Sequence, residues 1–135
     1  EIFVNHERLI MKVLKIATIT ACALLLSPLA TSAQTFNFKQ IKTESEFREL
    51  VVDKKLVAGW GTLVIHSNGS ISGKVGKNKL AGAWKWSGKY FCRNFRIGDQ
   101  KDAGTDCQKM SVDGDYLQSI KNKGKGDGAV LTITK

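Results

Sequence analysis

The chain has 135 residues, 21 Lys and Arg against 12 Asp and Glu for a net charge of +9, three cysteines, thirteen glycines and one proline. That length suits a single hydrophobic core. A composition of 42% hydrophobic and 24% charged residues is globular, which excludes a disordered tail or a collagen-like repeat. Two histidines and three cysteines leave too few ligands for most zinc sites.

The first apolar stretch follows Met11-Lys12-Val13-Leu14-Lys15, a short basic segment. The run Ile16 to Leu26 leads into Ser27-Pro28 and then Thr31-Ser32-Ala33, whose small residues suit cleavage before Gln34. This is the layout of a secretory signal peptide over residues 11–33. The run is too short to span a bilayer, which takes about 20 residues. Residues 1–10 then read as an upstream extension, because Glu1 and Glu7 sit where a leader should be basic. A lipoprotein anchored through Cys22 is the alternative, but Ala23-Leu24-Leu25-Leu26 continues the apolar run past that cysteine. Removing residues 1–33 leaves a domain over 34–135 with 18 cations and 10 carboxylates, hence +8. Export to the periplasm or the medium is therefore expected.

Within that domain, Gln34 to Gln40 is a polar lead with alternating Phe36 and Phe38, suited to an edge strand. Thr43-Glu44-Ser45-Glu46 is a capping box, and Phe47, Leu50 and Val51 follow at helical spacing. A short helix over 44–52 is predicted. Everything beyond alternates between strand and turn. Leu56 to His66 reads as one strand ending at Ser67-Asn68-Gly69-Ser70, where Asn-Gly predicts a type I′ hairpin turn. Further strands are expected over 71–75, 80–86, 90–97, 107–112, 116–120 and 129–134. About seven strands joined by short connections predict a mainly β fold, an antiparallel meander forming a small barrel or curved sheet, lipocalin-like at most. Connections this short exclude parallel crossover units.

Cys92 and Cys107 are the thiols left after export, and an even pair in an oxidising compartment predicts a disulfide. No Cys-x-x-Cys redox spacing is present. Trp84 and Trp86 lie on one strand face with Leu80 and Gly82, at a period of two. They read as core packed on Trp60 or Tyr90, or, with Trp60, as the aromatic wall of a binding cup. His66 is the single histidine of 34–135 and lies at a turn, which suits a solvated residue. Asp113-Gly114-Asp115 lacks the ligand series of a calcium loop. Gly124-x-Gly126-x-Gly128 lacks the strand and helix that a phosphate loop needs. Neither a metal nor a cofactor is expected, and no catalytic residue can be assigned.

The basic excess is spread over Lys74, Lys77, Lys79, Lys85, Lys89, Arg93, Arg96, Lys121, Lys123 and Lys125. It either keeps the surface solvated or attracts an anionic partner: a small molecule, glycan, lipid or acidic protein. Nucleic acid does not fit an exported chain without a recognised binding module.

From Thr62 to Lys135 the chain resembles a group of small exported alphaproteobacterial proteins. The shared pattern runs through Asn68-Gly69-Ser70-Ile71-Ser72-Gly73, Gly82-Ala83-Trp84-Lys85-Trp86, Tyr90-Phe91-Cys92-Arg93, Gly104-Thr105-Asp106-Cys107-Gln108 and Asp113-Gly114-Asp115. The resemblance implies a one-domain periplasmic protein. Some members carry the label dihydrodipicolinate reductase, but this chain has no nucleotide-binding unit that such an enzyme would need. The leading expectation is an exported binding module for an anionic or amphiphilic envelope component. Its walls would be Trp60, Trp84 and Trp86, and its anion contacts Arg93 and Arg96. The alternatives are an interaction or inhibitor module presenting the loop 98–105, and, more distantly, an enzyme.

Overall fold

A computed structural model describes residues 30–135, and the part of the predicted leader and extension before residue 30, Cys22 included, lies outside the described residues. Residues Thr35–Lys135 make one folding unit. Its chain order is β1 (Lys39–Gln40), α1 (Glu44–Leu50), β2 (Lys55–Ala58), β3 (Gly61–Ile65), β4 (Ser70–Val75) and β5 (Asn78–Ser87). There follow β6 (Tyr90–Ile97), β7 (Asp106–Asp113), β8 (Tyr116–Ile120) and β9 (Gly128–Thr134). All neighbouring strands are antiparallel, and β2 to β9 close on themselves through β9–β2 and β7–β8 pairing. The result is an eight-stranded barrel, with β1 added to the free edge of β7 at Lys39↔Val112 and Gln40↔Ser111.

The predicted strand over 56–66 is two strands. Ala58 pairs with Gly61 across a turn at Gly59-Trp60, so the chain doubles back where an unbroken strand is expected. The hairpin at Asn68-Gly69 is also not type I′. Among the described non-glycine residues, positive φ occurs at Asp53, Asn122 and Lys123, while Gly69 has φ 91°. The His66 N–H donates to Ser70 O, and Gly69 N–H to His66 O. This is a three-residue loop whose last member is left-handed, and the Asn68 side chain stabilises it by accepting from Ser70 N–H and Oγ.

Interior positions follow the two-residue strand period. Leu56, Ile65, Ile71, Leu80, Phe91, Met110, Leu117, Leu131 and Ile133 are buried inside. Two inward positions, Gly73 and Gly82, carry no side chain. An added Cβ would collide with the Thr62 carbonyl at the first and the Asn94 carbonyl at the second, so glycine there permits the close approach of tightly coiled strands.

One end of the barrel is closed by α1. Thr43 caps it, accepting the Glu46 N–H on its hydroxyl, while Glu46 accepts the Lys42 N–H on its carboxylate. That fixes Phe47 pointing inward, 0% exposed, with ring centroids 5.5 Å from Trp84, 5.1 Å from Trp86 and 5.2 Å from Phe91. Arg48, one residue on, covers the outer face of Trp84 at 5.0 Å and donates to Ser67 O. The helix is thereby tied to the β3–β4 turn it overlies.

Along β6 and β7 the pairing is short, covering Phe91↔Gln108, Cys92↔Cys107 and Arg93↔Asp106. A disulfide joins Cys92 and Cys107, with Cα atoms 3.9 Å apart. Among the described residues no helix is long and apolar enough to cross a membrane.

Two stability measurements check this arrangement. Phe47→Ala should lower unfolding free energy by about 3–5 kcal/mol, the usual cost of emptying a buried aromatic site, read from urea denaturation followed by tryptophan fluorescence. A paired Cys92→Ala and Cys107→Ala variant should lose about 3 kcal/mol, the expected effect of opening a loop of this length, and the parent should lose the same on reduction.

Candidate functional site

Opposite the α1 end, the barrel interior is not filled. A cavity of about 410 Å³ is lined mainly by apolar side chains, among them Leu63, Val75, Phe95, Ile97 and Leu131, with Trp60 at its rim. Its volume lies in the range of small-molecule sites. The openings between strands at this end are the β2–β3, β4–β5, β6–β7 and β8–β9 connections, since a meander places alternate turns at the same end. The β2–β3 and β4–β5 turns touch there through the Gly76 N–H donated to Trp60 O.

One wall of the cavity is polar. Arg93 on β6 faces inward and is 8% exposed. Its guanidinium lies 4.1 Å from the Phe95 ring centroid, and Nη2 stands 3.5 Å from Asp106 Oδ2. Asp106 Oδ2 also accepts from Gln108 Nε2, and Oδ1 accepts the Asn122 backbone N–H. Gln108 in turn accepts the Ser119 hydroxyl proton. The Asn122 contact depends on the turn Lys121–Gly124, where Asn122 and Lys123 take left-handed φ values of 50° and 55°. Among the described residues Arg93 makes no hydrogen bond to protein beyond this loose ion pair, so most of its five N–H donors remain free toward the cavity.

Electrostatics follow from this geometry. Burial lowers the Arg93 pKa, and the Asp106 charge offsets part of that. For Asp106, burial alone would raise the carboxyl pKa. The Asn122 and Gln108 hydrogen bonds, with the charges of Arg93 and Lys121, outweigh burial and hold it below the ordinary carboxylate range.

The sequence-selected residues fall in different places. Trp60 and Arg93 border the cavity. Trp84 and Trp86 face inward but pack on Phe47 at the closed end; neither lines the cavity, and neither packs on Trp60 or Tyr90 as a core reading of the pair had it. Arg96 is exposed on the outer side of β6. The loop 98–105 is pinned to β6 by the Ala103 N–H donated to Phe95 O. Asp106, Gln108 and Ser119 had no motif to mark them. Their signal was the break in apolar alternation on β7 and β8, where polar residues take inward positions.

His66 has neighbours distant from it in sequence or unmarked by any motif. Its Nε2 lies 2.7 Å from Ser72 Oγ, and Nδ1 lies 3.9 Å from Asp53 Oδ1. These are the residue types of a hydrolytic triad, but Asp53 Oδ1 is held instead by the Ser67 N–H at 3.0 Å, and Ser72 is exposed on the outer wall. The Ser72 backbone is paired with both neighbouring strands, leaving no preorganised donors for an oxyanion. The cluster fastens the end of α1 to the β3–β4 hairpin. Among the described residues no group of His, Cys, Asp and Glu is placed to hold a metal.

No family model, no curated protein and no solved structure matches this chain.

A carboxylate with a depressed folded-state pKa stabilises the fold above its unfolded value and ceases to do so as pH falls through the folded value. Asp106 should therefore contribute stability that is full above about pH 4 and lost as the pH drops further. Asp106→Asn should destabilise the protein at pH 7, since it leaves the Arg93 cation without its carboxylate. As the pH falls through the lowered folded-state value of Asp106, parent and variant should converge. Denaturation midpoints measured from pH 2 to 7 check both statements.

Proposed function

We propose that this protein is a binding module that holds one small amphiphile inside the barrel, its apolar body among Leu63, Val75, Phe95, Ile97 and Leu131 and its acceptor head group on Arg93. The observation that carries this reading is the cavity itself: apolar, open at one end, closed by Phe47 at the other, and furnished with a single under-used guanidinium. A small β domain gains stability from a filled core, so interior space kept beside a desolvated arginine favours a site over a core. Burial strengthens a charge-assisted hydrogen bond to an anionic acceptor; the lining also carries Lys121 and, offsetting it, Asp127, so Arg93 is the cation that carries the reading. The favoured ligand is a medium-chain carboxylate or a similar anionic amphiphile, encountered after export into the periplasm or the medium. The short loop tie at Ala103 does not by itself favour an inhibitor module. The resemblance to proteins labelled as reductases has no counterpart in a nucleotide site among the described residues.

The test is titration calorimetry with three twelve-carbon probes: laurate, 1-dodecanol and dodecylamine. Laurate should bind most tightly and dodecylamine least. Arg93→Met, which keeps much of the side-chain volume, should remove the preference for laurate over the alcohol, by roughly tenfold or more for a lost charged hydrogen bond. Absence of binding by all three, or a preference unchanged in the variant, would overturn the proposal.

A further inference from the structure

The acids of the folded unit are unevenly placed. From Lys54 to Gly98 the chain carries nine Lys and Arg and not one Asp or Glu. This stretch is β2 to β6, more than half of the barrel wall. Three of its lysines, Lys74, Lys77 and Lys79, are exposed around the β4–β5 turn. Beside them stands Trp60, 43% exposed, the one large aromatic side chain so exposed among the described residues. The two turns are joined by the Gly76 N–H donated to Trp60 O, so the ring and the three ammonium groups share one tip. That tip lies on the rim of the open end of the cavity.

We propose that the Trp60 turn and the β4–β5 turn form a docking tip for an anionic lipid surface. Each part answers to a separate property of such a surface. Indole rings settle at the boundary between head groups and acyl chains, and clustered lysines are drawn to the negative surface potential of anionic lipid. Lysine stems can lie along apolar material while the ammonium stays in water, which lets Lys77 flank an inserted Trp60. A purely solvating basic surface would have no use for an exposed tryptophan at its centre. A polyanionic glycan would not reward the apolar rim formed by Trp60 and Val75. Docking this tip sets the open end of the barrel against the membrane.

The measurement is binding to vesicles of phosphatidylcholine alone and of phosphatidylcholine with phosphatidylglycerol, by co-sedimentation and by tryptophan emission. The protein should bind the anionic vesicles at least tenfold better, with a blue shift, and 0.5 M salt should weaken that binding. Trp60→Ala should abolish the shift, since Trp84 and Trp86 are already packed on Phe47. Changing Lys74, Lys77 and Lys79 together to Gln should cost about a hundredfold, at roughly fivefold per surface lysine. A control with Lys85→Gln and Lys89→Gln, on the same basic stretch but away from the tip, should lose less than a tenth as much. Any binding through residues 11–33, where they are retained, is common to parent and variants and cancels. Equal binding to both vesicle types, no effect of the tip changes, or an equal loss in the Lys85 and Lys89 control would overturn the proposal. Failure to bind laurate would leave this result untouched, and failure here would leave the cavity reading untouched.

Discussion

Closure of one end of the barrel by Phe47 is the contact on which the other features depend. An eight-stranded antiparallel barrel has two open ends, and a ring of hydrophobic side chains at each would otherwise face water. Phe47 enters between Trp84, Trp86 and Phe91 with no exposed surface of its own. The cluster uses two of the three tryptophans as the seat of a plug. That is why an aromatic wall built from all three does not form, and why the interior space lies toward the Trp60 end. The helix need not be stable alone: seven residues are too few for that. Its capping box sets the entry angle and the aromatic cluster supplies the packing.

One of the two narrowest seams of the barrel, β6–β7, carries both its disulfide and its buried ion pair. Three register pairs connect β6 to β7, against eight between β5 and β6. Successive residues on a strand face opposite sides, so the disulfide at Cys92↔Cys107 and the ion pair at Arg93↔Asp106 occupy adjacent rungs on opposite faces. The covalent link holds the two backbones together where hydrogen bonding is sparse. It thereby keeps the Asp106 carboxylate opposite the guanidinium it must balance. Where β6 gives out, β1 takes over the edge of β7 through Lys39 and Gln40, so the lead segment continues the sheet that the seam leaves unfinished.

Much of the barrel was legible from alternation and turn residues, because those patterns act within a few residues of themselves. The strands over 90–97 and 116–120 coincide with β6 and β8, and the capping box marks the start of α1. What was not legible depended on partners distant in sequence. Leu56 to His66 carries no polar break at Gly59-Trp60-Gly61 strong enough to divide it, and the division is imposed by pairing of β2 with β9 and of β3 with β4. Asn68-Gly69 promised a two-residue turn, but the pairing of His66 with Ser70 leaves three residues to turn in. Arg93 could be suspected from its charge and Trp60 from its size. Strand parity sets Arg93 on the same face as Phe91 and Phe95 and Arg96 on the other, but which of the two faces turns inward is fixed only when the barrel closes. Asp106, Gln108 and Ser119 come together from two strands and a turn, and only closure of the barrel makes them neighbours.

A buried guanidinium is costly to desolvate, and a folded domain keeps one only with compensation. Asp106 supplies the opposite charge at 3.5 Å and Phe95 a ring face at 4.1 Å. Neither supplies the ring of acceptors that five donors require. Asp106 also accepts from Gln108 and Asn122, and it meets Arg93 through a single nitrogen rather than as a two-pronged partner. The carboxylate is close enough to offset the charge and too distant, at 3.5 Å, to bind the guanidinium in a tight hydrogen-bonded pair. Had Arg93 served packing alone, a leucine or methionine would have filled the same space without the desolvation cost. What remains on the apolar wall is a cation held by one loose ion pair and one ring face, with donors still turned to the cavity rather than locked into the wall.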